Sequence, residues 1–131
     1  MTYFRPSNII QLFKKFEVKK EFDFLSVDTD TYDWFMLEAI LDAGYRPRVI
    51  CVEINSRLAN TMEMLMKLSP HCFRFVMLDA KSIAPPSDRL SWQQWDGTAY
   101  HGASDLAMFY LFSRFGYSMV FCNYSNCFGV R

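Results

Sequence analysis

No apolar run in this sequence approaches the roughly 18 residues needed to cross a lipid bilayer. The N-terminal region carries Arg5, Lys14 and Lys15 but lacks the long apolar core of a secretory signal. Fourteen basic and fourteen acidic residues leave a formal net charge of zero, so no overall field attracts nucleic acid or an anionic membrane. We therefore expect a soluble cytoplasmic protein with no nucleic-acid partner and no membrane partner.

The four cysteines lack any metal-binding pattern. Cys51, Cys72, Cys122 and Cys127 form no CxxC pair and have no His/Cys spacing typical of zinc. Cys51 lies in an apolar run and Cys122 follows another, so small buried thiols in a reducing compartment are favoured over disulfides. A Cys122–Cys127 bridge across a hairpin is the alternative.

Glycine is scarce, with five in 131 residues, and none forms a GxGxG cluster after a strand. Such a cluster lets a backbone approach a nucleotide cofactor closely. What the chain does have is apolar bulk: 51% of its residues are hydrophobic and 18% are aromatic. One compact domain spanning residues 1–131 follows.

Two apolar runs predict the centre of the fold. Phe22–Val27 leads into an acidic turn and then a helical pattern from about Tyr32 to Ala43, after which Arg48–Ile54 forms the second run. Two such strands joined by a helix predict a βαβ unit in a parallel sheet that is buried on both faces. Ligands bind beyond the carboxyl ends of strands in such sheets, where both runs turn polar.

The acidic turn is the first candidate site, because a carboxylate beside a buried strand must find a partner to offset its desolvation. Asp30 or Thr31 is placed to cap the following helix, and Asp33 lies in its positive first turn. This leaves Asp28 as the acid facing a pocket, and Asp28 is our candidate catalytic residue.

The remaining elements are predicted from periodicity and from turn residues. An N-terminal helix begins after Ser7-Asn8 and runs to about Phe16. The others are a helix over Leu58–Leu68, a short strand over Phe73–Leu78, a functional loop over Ser82–Gly102, a helix over Ala103–Phe115 capped by Ser104 or Asp105, and a terminal β-hairpin formed by Tyr117–Cys122 and Phe128–Arg131.

Four stretches resemble, in their residues and in their order along the chain, the carboxyl-terminal half of a class I S-adenosylmethionine-dependent methyltransferase. The resemblance is nearest to the FkbM-type branch of that family. The four stretches are Phe22–Asp30, Pro47–Asn55, Trp95–Ser104 and Gly116–Asn123. The resemblance implies an α/β fold with a partial Rossmann-like sheet: parallel strands, flanking helices and a C-terminal antiparallel hairpin.

The resemblance also implies a function, namely O-methyl transfer from S-adenosylmethionine to a small-molecule acceptor by the complete form of the domain. Asp28 is then the catalytic residue. The residues implied at the cofactor are Asp28, Thr29 and Asp30, and those implied at the acceptor are Glu53, Asn55, Tyr100 and His101.

The chain departs from the family in lacking the glycine-rich cofactor loop and the acid that holds the cofactor ribose. We therefore expect an incomplete or inactive domain, whether a fragment or a chain completed by others. The family order leaves Phe22–Val27 at an open edge of the sheet, which a second copy or a partner chain would cover. A non-catalytic interaction module is the competing interpretation.

A divalent metal is a further alternative, because Asp28, Asp30, Asp33, Glu53 and Asn55 offer the hard oxygen donors that Mg²⁺, Ca²⁺ and Mn²⁺ prefer. The turn is similar to the Asp-x-Asp of metal-dependent catechol-type O-methyltransferases and of nucleotide-sugar glycosyltransferases. The start of the following helix accounts for Asp30 and Asp33 with fewer assumptions, so a divalent metal is an alternative that is not favoured.

Overall fold

A computed structural model describes residues 4–29, 32–55 and 103–131. Several sequence predictions lie outside these residues: the roles of Asp30, Tyr100 and His101, the helix over Leu58–Leu68, the strand over Phe73–Leu78 and the loop over Ser82–Gly102.

Every predicted element within the described residues is present, with bounds within two residues of the prediction. None of the described helices combines the length and the apolar character needed to cross a membrane. The helices are α1 (Ile9–Lys15), α2 (Asp33–Asp42) and α3 (Asp105–Arg114), and the strands are β1 (Glu21–Val27), β2 (Arg46–Glu53), β3 (Ser118–Cys122) and β4 (Asn126–Val130).

The four described strands form one mixed sheet in the order β1-β2-β4-β3. β1 and β2 are parallel, which confirms the βαβ unit, and β4 runs antiparallel to both β2 and β3. The terminal hairpin is confirmed, but its second strand, rather than its first, pairs with β2. The protein is therefore a small α/β structure in which β1 forms an edge of the described sheet.

The core occupies one face of this sheet. Leu25, Ile50, Val52 and Cys127 are buried in one cluster with the apolar side chains of α2 and α3. The prediction that both faces are buried is wrong for β1, because Phe24, on the opposite face, is 55% exposed. β1 has a neighbour on one side in the described sheet, and from Phe24 to Val27 its side chains alternate between exposed and buried positions.

The predicted caps of α1 and α3 formed in different ways. Ser104 is the N-cap of α3, and its hydroxyl accepts a hydrogen bond from the Ala107 backbone N–H at 3.2 Å, as expected. Asn8 is the N-cap of α1, but its Oδ1 accepts from the N–H of Arg5 at 2.8 Å instead of from the helix. The side chain of Asn8 therefore stabilises the turn before α1.

The favoured prediction of free thiols is wrong for the hairpin. Cys122 and Cys127 lie directly opposite each other in β3 and β4 and are joined by a disulfide. The turn between them is tight because Asn123 Oδ1 accepts from the N–H groups of Ser125 and Asn126. This turn brings the two sulfur atoms together, whereas Cys51 is a free thiol of intermediate exposure.

Candidate functional site

Polar side chains converge where the carboxyl ends of β1 and β2 meet the start of α2. Thr29 follows β1, Asp33 is the first residue of α2, and Glu53 is the last residue of β2. We call these three residues the Asp33 cluster. This is the edge at which open parallel sheets bind ligands.

One oxygen of Asp33 is fixed by Thr29. Asp33 Oδ1 accepts from the Thr29 backbone N–H at 2.7 Å and from the Thr29 hydroxyl at 3.0 Å. The same hydroxyl accepts from the Tyr32 N–H at 3.2 Å. The N-cap of α2 is Tyr32 rather than the predicted Asp30 or Thr31, and a side-chain acceptor for the helix start comes from Thr29. The hydroxyl that the resemblance assigns to the cofactor thus positions a carboxylate.

The other oxygen of Asp33 has an unusual environment. Asp33 is fully buried, and Oδ2 is the buried side-chain atom within the described ranges that has no hydrogen-bond partner. Burial, with a further contribution from the charge of Glu53, raises the pKa of Asp33 to about 7, although the hydrogen bonds from Thr29 act in the opposite direction. A carboxyl group that titrates near neutrality can both accept and donate a proton under physiological conditions.

The burial of Asp33 follows from its position on α2. Met36, Leu37, Ile40 and Leu41 are buried, and they lie three, four, seven and eight residues after Asp33. These are the spacings at which side chains share one face of a helix. The apolar stripe therefore begins at Asp33, and this spacing is the signal in the sequence that could have identified Asp33 as a buried acid.

The structure places two predicted acceptor residues at the same edge. The charge of Glu53 acts on Asp33 and contributes to raising its pKa. Asn55 is buried, and its backbone N–H donates to the carbonyl of Ala103 at 2.8 Å. This bond ties the end of β2 to the residue that precedes the Ser104 cap of α3.

Asp28, the predicted catalytic residue, is exposed. Its charge adds to burial in raising the pKa of the Cys51 thiol, whereas a hydrogen bond with Ser26 lowers it. Ser26 and Cys51 are partners in the β1–β2 register, on the face opposite the core. The structure thus associates Asp28 with Cys51, and Thr29 and Glu53 with Asp33.

No family model, curated protein or solved structure matches this chain. The residues described by the structure also contain no group of three or more His, Cys, Asp or Glu side chains placed to hold a metal ion. The chemistry of the site therefore depends on the Asp33 cluster, which combines a buried acid, one oxygen of which is fixed, with a second carboxylate.

Proposed function

We propose that this chain is part of an S-adenosylmethionine-dependent O-methyltransferase-like domain, in which the Asp33 cluster lies on the acceptor side of the site. The observation that carries the proposal is Asp33, a fully buried carboxyl group with a pKa of about 7 at the carboxyl ends of two parallel strands. The resemblance of the surrounding stretches to the methyltransferase family supplies the reaction class.

In this proposal Asp33 receives the proton that an acceptor hydroxyl loses. When bound, S-adenosylmethionine would supply an electrophilic methyl group. As the acceptor oxygen bonds to this carbon, the bond between the carbon and the sulfonium sulfur would break and S-adenosylhomocysteine would leave, while the proton of the acceptor hydroxyl passes to Asp33. Thr29 holds Asp33 Oδ1, which leaves Oδ2 as the proton acceptor. Because Asp33 is fully buried, the acceptor must displace the groups that cover Oδ2 before the proton is transferred. Because burial and Glu53 keep the pKa near 7, Asp33 is basic enough to act and is still partly ionised at neutral pH.

The described residues fit the acceptor side better than the nucleotide side of such a site. Gly44 and Gly116 have positive φ angles just after α2 and α3, where glycine commonly ends a helix. Gly129 lies against the ring of Phe112 in the core. These three glycines have structural roles, so holding the nucleotide part of the cofactor requires groups beyond those described here.

Calorimetric titration with S-adenosylhomocysteine and S-adenosylmethionine tests the proposal. Saturable binding by the 131-residue chain supports a cofactor site in this chain. Silence at millimolar ligand shows that this chain does not act alone. The titration is then repeated with a chain extended by any upstream coding sequence, and silence there as well overturns the proposal.

The role of Asp33 is tested separately by methyl transfer to a panel of small hydroxylated acceptors, read as S-adenosylhomocysteine release. We expect Asp33→Asn to lower kcat by at least about 100-fold with little effect on cofactor affinity, since a general base contributes factors of this size. Asp28→Asn is the matched control, because it makes the same change from aspartate to asparagine at an exposed residue. Equal losses in both variants contradict the assignment to Asp33.

A non-catalytic interaction module is the second candidate, and exposed aromatic side chains favour it. Phe24 and Phe121 are 55% and 58% exposed, and the strand register places them on the same face of the sheet. Exposed apolar side chains grouped on one face are typical of binding surfaces. Cofactor binding separates the two candidates, because the module requires none.

A further inference from the structure

A second polar region lies at the other end of the strands, where β1 and β2 begin. A groove of about 560 Å³ there is lined by four cationic side chains and two carboxylates, together with Phe22. We call this region the basic groove. Its cations are Lys19, Arg46, Arg48 and Arg131, and its carboxylates are Glu21 and Asp23.

Both carboxylates are already paired with arginines. Arg48 contacts Asp23 at 3.2 Å and Arg131 contacts Glu21 at 3.0 Å. No carboxylate in the described part of the chain pairs with Lys19 or Arg46, so the groove keeps an excess of positive charge. Because the Arg48–Asp23 pair is largely exposed, it is weak, and Arg48 can exchange Asp23 for a more highly charged anion.

Arg46 is held in a fixed orientation. Its Nη1 donates to the carbonyls of Leu41 and Tyr45 at 2.6 and 2.8 Å, and its guanidinium lies 5.4 Å from the ring centre of Phe115. These contacts engage one nitrogen and one face of the guanidinium. The remaining N–H groups are donors whose planar arrangement suits the oxygens of a phosphoryl group.

We propose that the basic groove binds a small phosphorylated ligand that carries a ring, such as a nucleotide. Arg46 and Lys19 contact its phosphoryl oxygens, and Phe22 provides the apolar wall for the ring. The volume lies within the range of small-molecule sites. Since β1 spans seven residues, the groove is about 20 Å from the Asp33 cluster, so this site is independent of the proposed methyl transfer.

Calorimetric titration with inorganic pyrophosphate at low ionic strength tests the charge in the groove. We expect saturable binding that Lys19→Ala weakens about fivefold to tenfold, a size typical of one charge-assisted contact near the surface. Lys15→Ala, in α1, is the matched control, because it removes the same charge from an exposed site outside the groove. Absence of saturable binding, or equal weakening by both variants, overturns the proposal.

Arg46→Lys tests the planar contact, since it keeps the charge but loses the fork of donors. We expect weaker pyrophosphate binding with an unchanged circular dichroism spectrum. Lys19→Ala also tests anion binding in the groove, and it leaves the contacts that hold Arg46 in place. The proposal can therefore be contradicted even if the Arg46 variant fails to fold.

The ring is tested by comparing adenosine monophosphate with ribose 5-phosphate. We expect the nucleotide to bind more tightly, and Phe22→Leu to remove this advantage while leaving pyrophosphate binding unchanged. Equal affinities for the two phosphates in the unmodified protein contradict the assignment to a ring-bearing ligand.

Discussion

At the scale of single residues, Asp33 should make the stability of the protein depend on pH. Its pKa is about 7 in the folded protein against an ordinary value of 3.8, so the folded state binds the proton more tightly. The contribution of Asp33 to the free energy of unfolding is therefore greatest at low pH, and it is lost as the pH rises from 3.8 through about 7. Between pH 5 and pH 8 we expect Asp33 to lower the free energy of unfolding by about 2–3 kcal/mol.

Urea denaturation at several pH values checks this expectation. Asp33→Asn removes the titrating group. The free energy of unfolding of this variant, relative to that of the unmodified protein, should therefore increase from pH 5 to pH 8. Asp28→Asn is the control, because Asp28 is exposed, and it should leave the pH profile of the unmodified protein unchanged. Parallel profiles for the unmodified protein and Asp33→Asn would show that Asp33 does not titrate in this range.

Asp28 and Asp33 show which features of the site can be predicted from the sequence. That an acidic turn follows β1 could be predicted, because a strand end is marked by local composition. The weighting of Asp28 above Asp33 relied on helix-capping rules, which consider the first turn alone. The burial of Asp33 depends on the whole stripe of α2 packing into the core, and its pKa depends on Glu53 from another strand.

Gly129 provides a second test at this scale. A Cβ atom added there would lie 3.0 Å from two ring atoms of Phe112, which is itself fully buried. We expect Gly129→Ala to lower the free energy of unfolding by about 1–3 kcal/mol, as overpacking does in other cores. The substitution should cost less in a Phe112→Leu background, and an equal cost in both backgrounds would contradict the proposed contact.

At the scale of elements, the bounds of the described helices and strands were predictable because local signals determine them. Apolar periodicity marks each element, and Gly44 and Gly116 end α2 and α3 through their positive φ angles. Errors arose where a property depends on distant parts of the chain. The exposure of Phe24 depends on what covers each face of the sheet, and the Cys122–Cys127 disulfide depends on register across the hairpin.

The cap of α3 can be tested directly. Ser104 is buried, and its hydroxyl satisfies the Ala107 N–H at the start of the helix. Ser104→Ala leaves this donor without its partner, and we expect a loss of about 1 kcal/mol in the free energy of unfolding. Ser104→Thr is the matched comparison because it keeps a hydroxyl acceptor at the same position, and it should recover stability in thermal denaturation relative to Ser104→Ala. Equal stability of Ser104→Ala and the unmodified protein would contradict the role of the cap.

At the scale of the whole molecule, the sheet has two chemically different ends. Its carboxyl end holds the Asp33 cluster, with a buried acid, and its amino end holds the basic groove, with excess positive charge. The formal net charge of zero does not reveal the excess positive charge at the amino end. The sequence total excludes a strong overall field, but it cannot show that charge is separated along the strands, because the separation appears only when β1 and β2 align in parallel.

The edge position of β1 and the lack of net charge together predict self-association. Phe24 is exposed in the edge strand of the described sheet, and the sequence pI of about 6.7 means that copies repel each other least near neutral pH. We expect sedimentation velocity to show a second copy bound through β1, with tighter association at pH 6.7 than at pH 8.5. Phe24→Lys should weaken this association at least about tenfold, because a charge would be buried at the edge. Phe16→Lys adds the same charge at an exposed phenylalanine outside the sheet and should leave the association intact. A monomer at every concentration, or equal effects of the two substitutions, would rule out pairing through β1.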